Sequence, residues 1–250
     1  MVIVENLTGN TNYIQRFECS ASKIVVKANV ISLSDLEAIF ATIVAVDRVG
    51  VQRVITPRTN LRDLLEIAAS NEGLVKIKVN YSSGSVASYD VLATLELSNF
   101  GAIDLAGGYG QIELDSCVTT STFSFYGLDN PSLTQMIIKY EPIWAAQNQY
   151  KECDVNSAYA IAIPKANLVE LQMQYSNGRT IIYKPSELDA IVQEINELAE
   201  VINNIGNTGA SEVVVGSSKL YCLGVNDVVS IRVQYTQACT FYKISDGVLM

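Results

Sequence analysis

Short runs in which apolar and polar side chains alternate recur along this 250-residue chain, and β-branched residues are frequent in them. Such alternation is typical of half-buried β-strands. In the first half of the chain the runs are Lys23–Ile31, Leu74–Asn80, Val86–Leu97, Ser116–Tyr126 and Gln135–Trp144. In the second half they are Tyr159–Ile163, Leu168–Tyr175, Arg179–Lys184, Glu212–Val215, Lys219–Leu223, Val228–Tyr235 and Cys239–Ile244. Turn-forming residues separate the runs about every ten residues, as in a sandwich or barrel, so the sequence predicts an all-β protein.

A strand–proline–hydroxyl–helix arrangement occurs twice in the chain. An extended run ends at a proline, a hydroxyl residue follows, and an amphipathic helical pattern then begins. The two copies are Val54–Leu65 and Ile181–Val192. The run Met136–Tyr140 also resembles Ser230–Tyr235. These similarities predict an internal duplication of one β-rich module.

The polar segment Ala145–Ser157 is the best candidate for a linker between the two modules, because it follows a run that contains Pro142 and Trp144. We therefore expect two domains, residues 1–145 and residues 146–250.

The clearest helix is predicted over Ser186–Ile205. Ser186 suits the N-cap because its hydroxyl can accept a hydrogen bond from a free backbone N–H, and Gly206 suits the C-terminal cap. Apolar residues spaced three and four apart form a structural seam on one face: Leu188, Ile191, Ile195, Leu198, Ile202 and Ile205. The seam is compatible with a coiled coil that trimerises a fibre. Its short length and the flanking strands favour a helix packed against the outside of a β-barrel.

Two further segments have helical features. Thr59–Asn71 is the shorter counterpart of the first helix, with Thr59 as the expected cap and apolar residues on one face. Ser34–Val46 begins as a capped helical pattern and ends in β-branched residues. We expect it to form a turn of helix that runs into a strand.

The charge of the chain limits its partners. The net charge is -9, and no basic run exceeds two residues, which argues against direct binding to a nucleic-acid backbone. Charged residues make up only 17% of a chain with a mean hydropathy of +0.21, so we expect neighbouring molecules to cover some apolar surface. The sequence has no apolar stretch of transmembrane length and no signal-peptide pattern at its start. We therefore expect synthesis and folding in a cytoplasm.

The sequence offers few residues for catalysis or metal binding. Histidine is absent, which removes the common triads, zinc sites and neutral-pH proton shuttles. The five cysteines show no Cys-x-x-Cys spacing and are expected to be reduced core residues. The carboxylates of Asp104, Glu113 and Asp115 could serve a glycosidase or bind calcium, but solvated charges near a hairpin are the simpler interpretation.

The glycines and tyrosines also favour structural roles. Gly107, Gly108 and Gly110 match no nucleotide-binding pattern and are expected to shape a loop. The 13 tyrosines suit half-buried sheet faces and subunit contacts. A carbohydrate-binding platform is the alternative for them.

Several of these features together resemble the double jelly-roll major capsid proteins of tailless icosahedral phages with an internal membrane, the corticovirus-like and related small members of that lineage. The likeness comprises two tandem β modules, a strand-then-helix unit like Arg53–Leu65 in each, and the run Ile137–Trp144, which is similar to a barrel-closing strand of the family.

The resemblance implies an all-β fold of two tandem jelly-roll β-barrels with flanking α-helices. It implies a homotrimer of pseudo-hexagonal outline that contacts neighbouring capsomers in an icosahedral shell, with minor capsid or membrane proteins and an underlying viral membrane as further partners. The family has no catalytic residues, so the resemblance implies a structural protein of the virion with no enzymatic activity and no cofactor. The second module is short for a full barrel plus a long helix.

Two other functions remain open from the residues alone. A receptor-binding spike or fibre domain would use the seam of Ser186–Ile205 for trimerisation. A hydrolase would depend on Asp104, Glu113 or Asp115.

Overall fold

The computed structural model describes residues 2–18, 20–72, 76–83, 85–128, 132–195, 212–213 and 219–249. The chain divides into two compact units between Ile138 and Lys139, shortly before the boundary expected from the sequence. Unit 1 holds the described residues up to 138, together with 212–213 and 247–249. Unit 2 holds 139–195 and 219–246. The described residues are mostly β-strand, as predicted, and the strands form several predominantly antiparallel sheets.

Unit 1 contains two helices and most of the strands. In chain order its elements are β1 (Val2–Leu7), β2 (Tyr13–Phe17), β3 (Lys23–Val30), α1 (Leu33–Ala38), β4 (Phe40–Val46), β5 (Gln52–Asn60), α2 (Leu61–Glu72), β6 (Lys76–Ser82), β7 (Ser85–Glu96), β8 (Ala102–Ile103), β9 (Tyr109–Asp115), β10 (Thr122–Leu128) and β11 (Leu133–Thr134).

Two antiparallel sheets build unit 1. The first has the order β1-β10-β3-β7-β6-β17, where β17 is the short strand Glu212–Val213, and the second has the order β2-β9-β4-β5. A separate parallel pair joins β8 and β11. Alternate residues of the central strands are buried: Ile24, Val26 and Ala28 in β3, Val91, Ala93 and Leu95 in β7, Ala41 and Ile43 in β4, and Ile112 and Leu114 in β9. This alternation buries one face of each sheet.

Unit 2 contains one described helix and eight strands, of which the first begins, and the last ends, a few residues outside the bounds of the unit. Its elements are β12 (Met136–Ala145), β13 (Tyr150–Asp154), β14 (Ala160–Pro164), β15 (Leu168–Tyr175), β16 (Thr180–Tyr183), α3 (Pro185–Ile195), β18 (Leu220–Gly224), β19 (Val228–Tyr235) and β20 (Cys239–Val248). They form two four-stranded sheets, β12-β20-β14-β18 and β13-β19-β15-β16. One apolar core joins both sheets: it includes Ile161, Tyr221 and Phe241 from the first and Leu171, Met173, Ile231 and Val233 from the second.

The two units share one strand order. The eight main strands of unit 1 are β1, β2, β3, β4, β5, β7, β9 and β10, and those of unit 2 are β12, β13, β14, β15, β16, β18, β19 and β20. Counted in this way, one sheet of each unit contains strands 1-8-3-6 in that spatial order, and the other contains strands 2-7-4-5. A helix follows the fifth strand in both units, α2 after β5 and α3 after β16.

The predicted strand-then-helix arrangement is therefore confirmed in both halves of the chain, but both predicted N-caps are wrong. Thr59 is a buried strand residue whose hydroxyl donates to the carbonyl of Pro57 at 2.8 Å. The cap of α2 is Asn60, whose Oδ1 accepts from the N–H of Asp63 at 3.3 Å. The strand pairing of Thr59 with Ala41 continues past the proline, so the helix starts later than the hydroxyl residue suggests.

Ser186 lies inside α3, because that helix begins at Pro185. Proline suits the first helical position, since it has no N–H that needs a partner there. The Glu187 carboxylate accepts from the N–H of Lys184, the residue before the helix, at 2.7 Å. The expected C-terminal cap, Gly206, lies outside the described residues.

The first part of the predicted long helix is confirmed as Pro185–Ile195. Leu188 of the seam is buried in the unit 2 core, and Ile191 is half-buried. The Ile195 side chain and the rest of the seam, Leu198, Ile202 and Ile205, lie outside the described residues. The turn of helix that runs into a strand is confirmed as α1 followed by β4.

The predicted linker Ala145–Ser157 contains a strand, β13, and this prediction is therefore wrong. Most side chains of β13 are exposed, so its sequence lacks the apolar alternation that marks more buried strands. Among the helices that the structure describes, none combines the length and the hydropathy that crossing a bilayer requires.

Candidate interaction surfaces

The outward face of the β2-β9-β4-β5 sheet, here called face 1, presents both apolar and charged side chains. Ile43 and Ile112 are paired and buried, so the residues next to them along the strands point outward. These residues are Thr42 and Glu113, and they form a cross-strand row with Ile14. Ile14 and Val54 of this sheet are largely exposed. Face 1 is therefore a sheet surface with uncovered aliphatic groups.

Arg58 fixes the charged part of face 1. Its guanidinium donates two hydrogen bonds to the Asp115 carboxylate, both 2.8 Å, and lies 3.7 Å from the centre of the Phe40 ring. The hydrogen bonds between the two side chains lower the pKa of Asp115 and raise the pKa of Arg58. A second arginine, Arg16, lies 4.5 Å from the centre of the Tyr109 ring. Cation–π contacts of this kind hold long side chains in place before any partner binds.

The turn between β4 and β5 presents two valines next to face 1. The Asp47 carboxylate accepts from the N–H groups of Val49 and Val51 at 3.0 and 2.9 Å, and Gly50 supplies the left-handed conformation with φ +87°. Val49 is 84% exposed. A turn held by its own hydrogen bonds loses little conformational entropy on docking.

The equivalent sheet of unit 2, β13-β19-β15-β16, has an outward face, here called face 2, that centres on Glu170. Its carboxylate accepts hydrogen bonds from Lys184 Nζ at 2.6 Å, the Tyr150 hydroxyl at 2.7 Å and Gln172 Nε2 at 2.8 Å. These three donors, with Lys184 first, lower the pKa of Glu170 to about 2. The carboxylate is therefore ionised throughout the neutral and mildly acidic range.

Face 2 also carries an arginine and hydroxyl, amide and aliphatic side chains. Arg232 lies 4.7 Å from the centre of the Tyr150 ring, and the Ser230 hydroxyl donates to Gln174 Oε1 at 3.1 Å. Ile182 on the edge strand is exposed. Faces 1 and 2 thus occupy equivalent sheets, and each combines an arginine on an aromatic ring with a hydrogen-bonded carboxylate and exposed aliphatic groups.

Each of the three carboxylates that the sequence suggested for hydrolysis or calcium binding accepts a hydrogen bond from a nearby group. Asp115 accepts from Arg58, Glu113 accepts from Gln111, and Asp104 accepts from the N–H of Ala106 in a loop. Asp115 and Glu113 share one strand of face 1. In the described part of the chain, no group of three or more histidine, cysteine or acidic residues is arranged to hold a metal ion.

The cysteines that the structure describes, Cys117, Cys153, Cys222 and Cys239, are free thiols. Burial raises the pKa of Cys117 and of Cys239 to about 11. Both thiols therefore remain protonated at neutral pH, which makes them poor nucleophiles.

An open hollow of about 320 Å³ lies at one end of unit 2. Loop residues that include Asn156, Ser176, Asn226 and Asp227 line it. Its lining has amide, hydroxyl and carboxylate groups but no aromatic ring.

Sequence reasoning missed Arg58, Tyr150, Glu170 and Lys184. The signal available was weak, because each residue looks like an ordinary polar position of a strand. Their contacts depend on strand neighbours far apart in sequence, such as Arg58 and Asp115.

Comparison with protein-family models gives no match for this chain, and comparison with curated proteins gives none either.

Proposed function

We propose that this chain is a double jelly-roll major capsid protein, which assembles as pseudo-hexagonal trimers into an icosahedral viral shell. The observation that supports the proposal best is the strand order 1-8-3-6 and 2-7-4-5 in both units. A jelly roll is a sandwich of eight strands in two such sheets, and viral coat proteins are a common use of it. Two such units in one chain match the class that the sequence resembles.

The position of the helices supports the same class. In both units a helix interrupts the chain after the fifth strand, at the strand-then-helix segments on which the resemblance rests. Independent insertion of a helix at the same point of two unrelated sandwiches would be a coincidence. A duplicated ancestral unit accounts for both helices at once.

The surfaces suit assembly through side chains. Faces 1 and 2 carry arginine, tyrosine and exposed aliphatic groups, which are enriched where proteins associate. The edge strand β5 contains Pro57 and an irregular pairing register, which hinder the addition of another strand. Subunits with such edges associate by their faces, and their net charge of -9 keeps them soluble beforehand.

The proposal includes the partners and the location of the protein. The subunit contacts two further copies in its trimer and the neighbouring capsomers, and in the shell it meets minor capsid or membrane proteins and a viral membrane. It is made in the host cytoplasm and resides in the virion. It acts without enzymatic activity, cofactor or direct nucleic-acid contact.

The spike or fibre alternative has less support. It needs the α3 seam to be free for a coiled coil, whereas Leu188, the first residue of that seam, is already part of the unit 2 core.

Light scattering after size exclusion, followed by negative-stain electron microscopy, tests the proposal on the full chain. We expect a particle with three times the 27.2 kDa mass of the chain and a hexagonal outline in projection. A protein that remains monomeric over the whole accessible concentration range, or a trimer without six density lobes, would contradict the proposal.

A further inference from the structure

The hairpin that joins β15 to β16 turns at Asn177 and Gly178, which form the only Asn-Gly pair in the sequence. The N–H of Gly178 donates to the carbonyl of Tyr175 at 2.9 Å, and Gly178 has a left-handed φ of +83°. A turn followed by a left-handed residue is a common hairpin loop. Asn177 and Gly178 are both exposed, so water and hydroxide reach them.

The Asn177 side chain folds back along its own backbone. Its Oδ1 accepts a hydrogen bond from the N–H of Arg179 at 2.9 Å. A contact of this Asx type closes a ring that contains the asparagine Cγ and the backbone nitrogen of the next residue, here Gly178. The contact therefore keeps an electrophilic carbon close to a nitrogen that can attack it, and it polarises the C=O bond at that carbon.

We propose that Asn177 is a site of spontaneous deamidation in the folded protein. Hydroxide removes the proton of the Gly178 N–H, and the nitrogen forms a bond to the Asn177 Cγ. The bond between Cγ and the side-chain amide nitrogen then breaks, and that nitrogen takes a proton from water and leaves as ammonia, which regenerates the hydroxide. Water finally opens the cyclic imide on one side of its nitrogen or the other, and the products are aspartate and isoaspartate.

The hairpin assists this reaction. The Arg179 N–H already donates to Oδ1, where negative charge develops as the new bond forms. Apart from the chain neighbours of Gly178, no described atom lies within 4 Å of the position that a Cβ would occupy there, so the attack is unobstructed. The hydrogen bond from Gly178 to Tyr175 has to open, and it lies at the exposed end of a hairpin, where local opening requires little free energy.

Deamidation changes both the charge and the backbone of the hairpin. The new carboxylate adds one negative charge to a chain whose net charge is -9. In the isoaspartate product the main chain passes through the former side chain and is one atom longer, which alters the turn between Tyr175 and Gly178. The N–H of Ser176 donates to the carbonyl of Asp227 at 2.8 Å, so the change also reaches the turn between β18 and β19.

Peptide mapping by mass spectrometry tests the inference on the folded full chain in mildly alkaline buffer. Asn156, which is followed by Ser157, is an exposed asparagine of the same unit and provides an internal reference. We expect Asn177 to deamidate roughly tenfold faster than Asn156, because an oriented donor at a developing oxyanion contributes at least this factor. Equal rates at the two asparagines would overturn the inference.

The same measurement in urea separates the effect of the turn from that of the Asn-Gly sequence. We expect Asn177 to react at least as fast in the folded protein as in the unfolded chain, because only the folded hairpin holds the Arg179 donor in place. A slower reaction in the folded protein would show that the hairpin shields the amide and would overturn the inference. The chemistry is independent of the proposed function, which either result leaves standing.

The variant Gly178→Asn tests the attacking nitrogen. Asparagine tolerates the left-handed conformation, so the hairpin should form, but its side chain crowds the nitrogen. We expect the deamidation rate of Asn177, assigned by fragmentation of the peptide, to fall by roughly tenfold. The matched control is Gly50→Asn, the same change at a glycine with φ +87° in another hairpin, which should leave the rate unchanged. An unchanged rate in Gly178→Asn would overturn the inference.

Discussion

Arg58 on β5 reaches over the Phe40 ring of β4 to donate two hydrogen bonds of 2.8 Å to Asp115 on β9. One side chain thereby links three neighbouring strands of face 1. Bidentate arginine–carboxylate geometry is directional, so the contact fixes the positions of both side chains more than it stabilises the fold.

The variant Arg58→Lys removes the paired hydrogen bonds and the guanidinium contact with the Phe40 ring, because a lysine has no planar guanidinium. The two side chains are 55% and 38% exposed, so we expect the free energy of unfolding to fall by less than about 1 kcal/mol. Chemical denaturation gives this value. Association of the subunits should fall more than stability does if face 1 is an interface. The control is Arg16→Lys, which loses only the contact with the Tyr109 ring. If both variants weakened association equally, the hydrogen bonds between Arg58 and Asp115 would have no special role in it.

Glu170 should make the stability of the protein depend on pH in the acidic range. Its pKa is about 2 in the folded protein and about 4.5 ordinarily, so its ionised form contributes stability above the ordinary value. That contribution is lost as the pH falls from about 4.5 through about 2. The difference in unfolding free energy between wild type and Glu170→Gln should therefore be about 1 kcal/mol at neutral pH and should shrink over this interval.

Urea denaturation at a series of pH values measures this difference. Glu152→Gln, which removes a carboxylate from the same sheet face, is the matched control and should change the profile little. A Glu170→Gln difference that stays constant down to pH 2 would argue against the three hydrogen bonds.

The cap of α2 can be tested by a pair of neighbouring substitutions. Asn60→Ala removes the oxygen that accepts from the N–H of Asp63, and N-cap losses of this kind cost about 1 kcal/mol. Asn60→Asp keeps an acceptor and should retain part of that stability. Thr59→Val, which preserves the shape of the buried strand residue, should leave the helix cap intact. The unfolding free energies of the three variants check the assignment, and a larger loss of helical circular dichroism in Thr59→Val than in Asn60→Ala would reverse it.

Because α3 packs on the unit 2 core through Leu188, substitutions at different positions of the helix should destabilise the protein unequally. Leu188 is buried in the core, so Leu188→Ala should cost about 2–5 kcal/mol of unfolding free energy. Ile191 is only half-buried, and Ile191→Ala should cost clearly less. Thermal unfolding followed by calorimetry compares the two. Equal effects would indicate that α3 does not pack on the core through Leu188.

Local signals in the sequence were sufficient for several elements that bury an alternating or helical apolar face, but not for the buried strand Tyr109–Asp115. The β4 strand after α1 and the two helices after β5 and β16 fall in this group. Strands with exposed side chains were missed, because Tyr150–Asp154 on the sheet edge has no buried face to impose a pattern. The sequence predicts the wrong cap residues, because Thr59 and Ser186 are both of a type that is common at N-caps. Strand pairing at Thr59 and the preference of Pro185 for the first helical position set the actual helix boundaries.

The candidate surfaces could not be predicted from the sequence for a different reason. Arg58 and Asp115 are 57 residues apart, and only the strand order brings them together. Glu170 likewise meets Tyr150 and Lys184 through three different segments of unit 2. A single sequence supplies the residue types but not the register that pairs them.

The placement of the eighth strand between the first and third has a consequence for biosynthesis. In unit 1, β10 pairs with both β1 and β3, and Val2 meets Tyr126. A nascent chain therefore leaves the ribosome with its first strand unable to find its sheet neighbour until nearly half of the polypeptide has been translated. During that interval the backbone edges of β1 and β3 stay open to off-pathway pairing, so production of this protein should improve with chaperones that cover those edges.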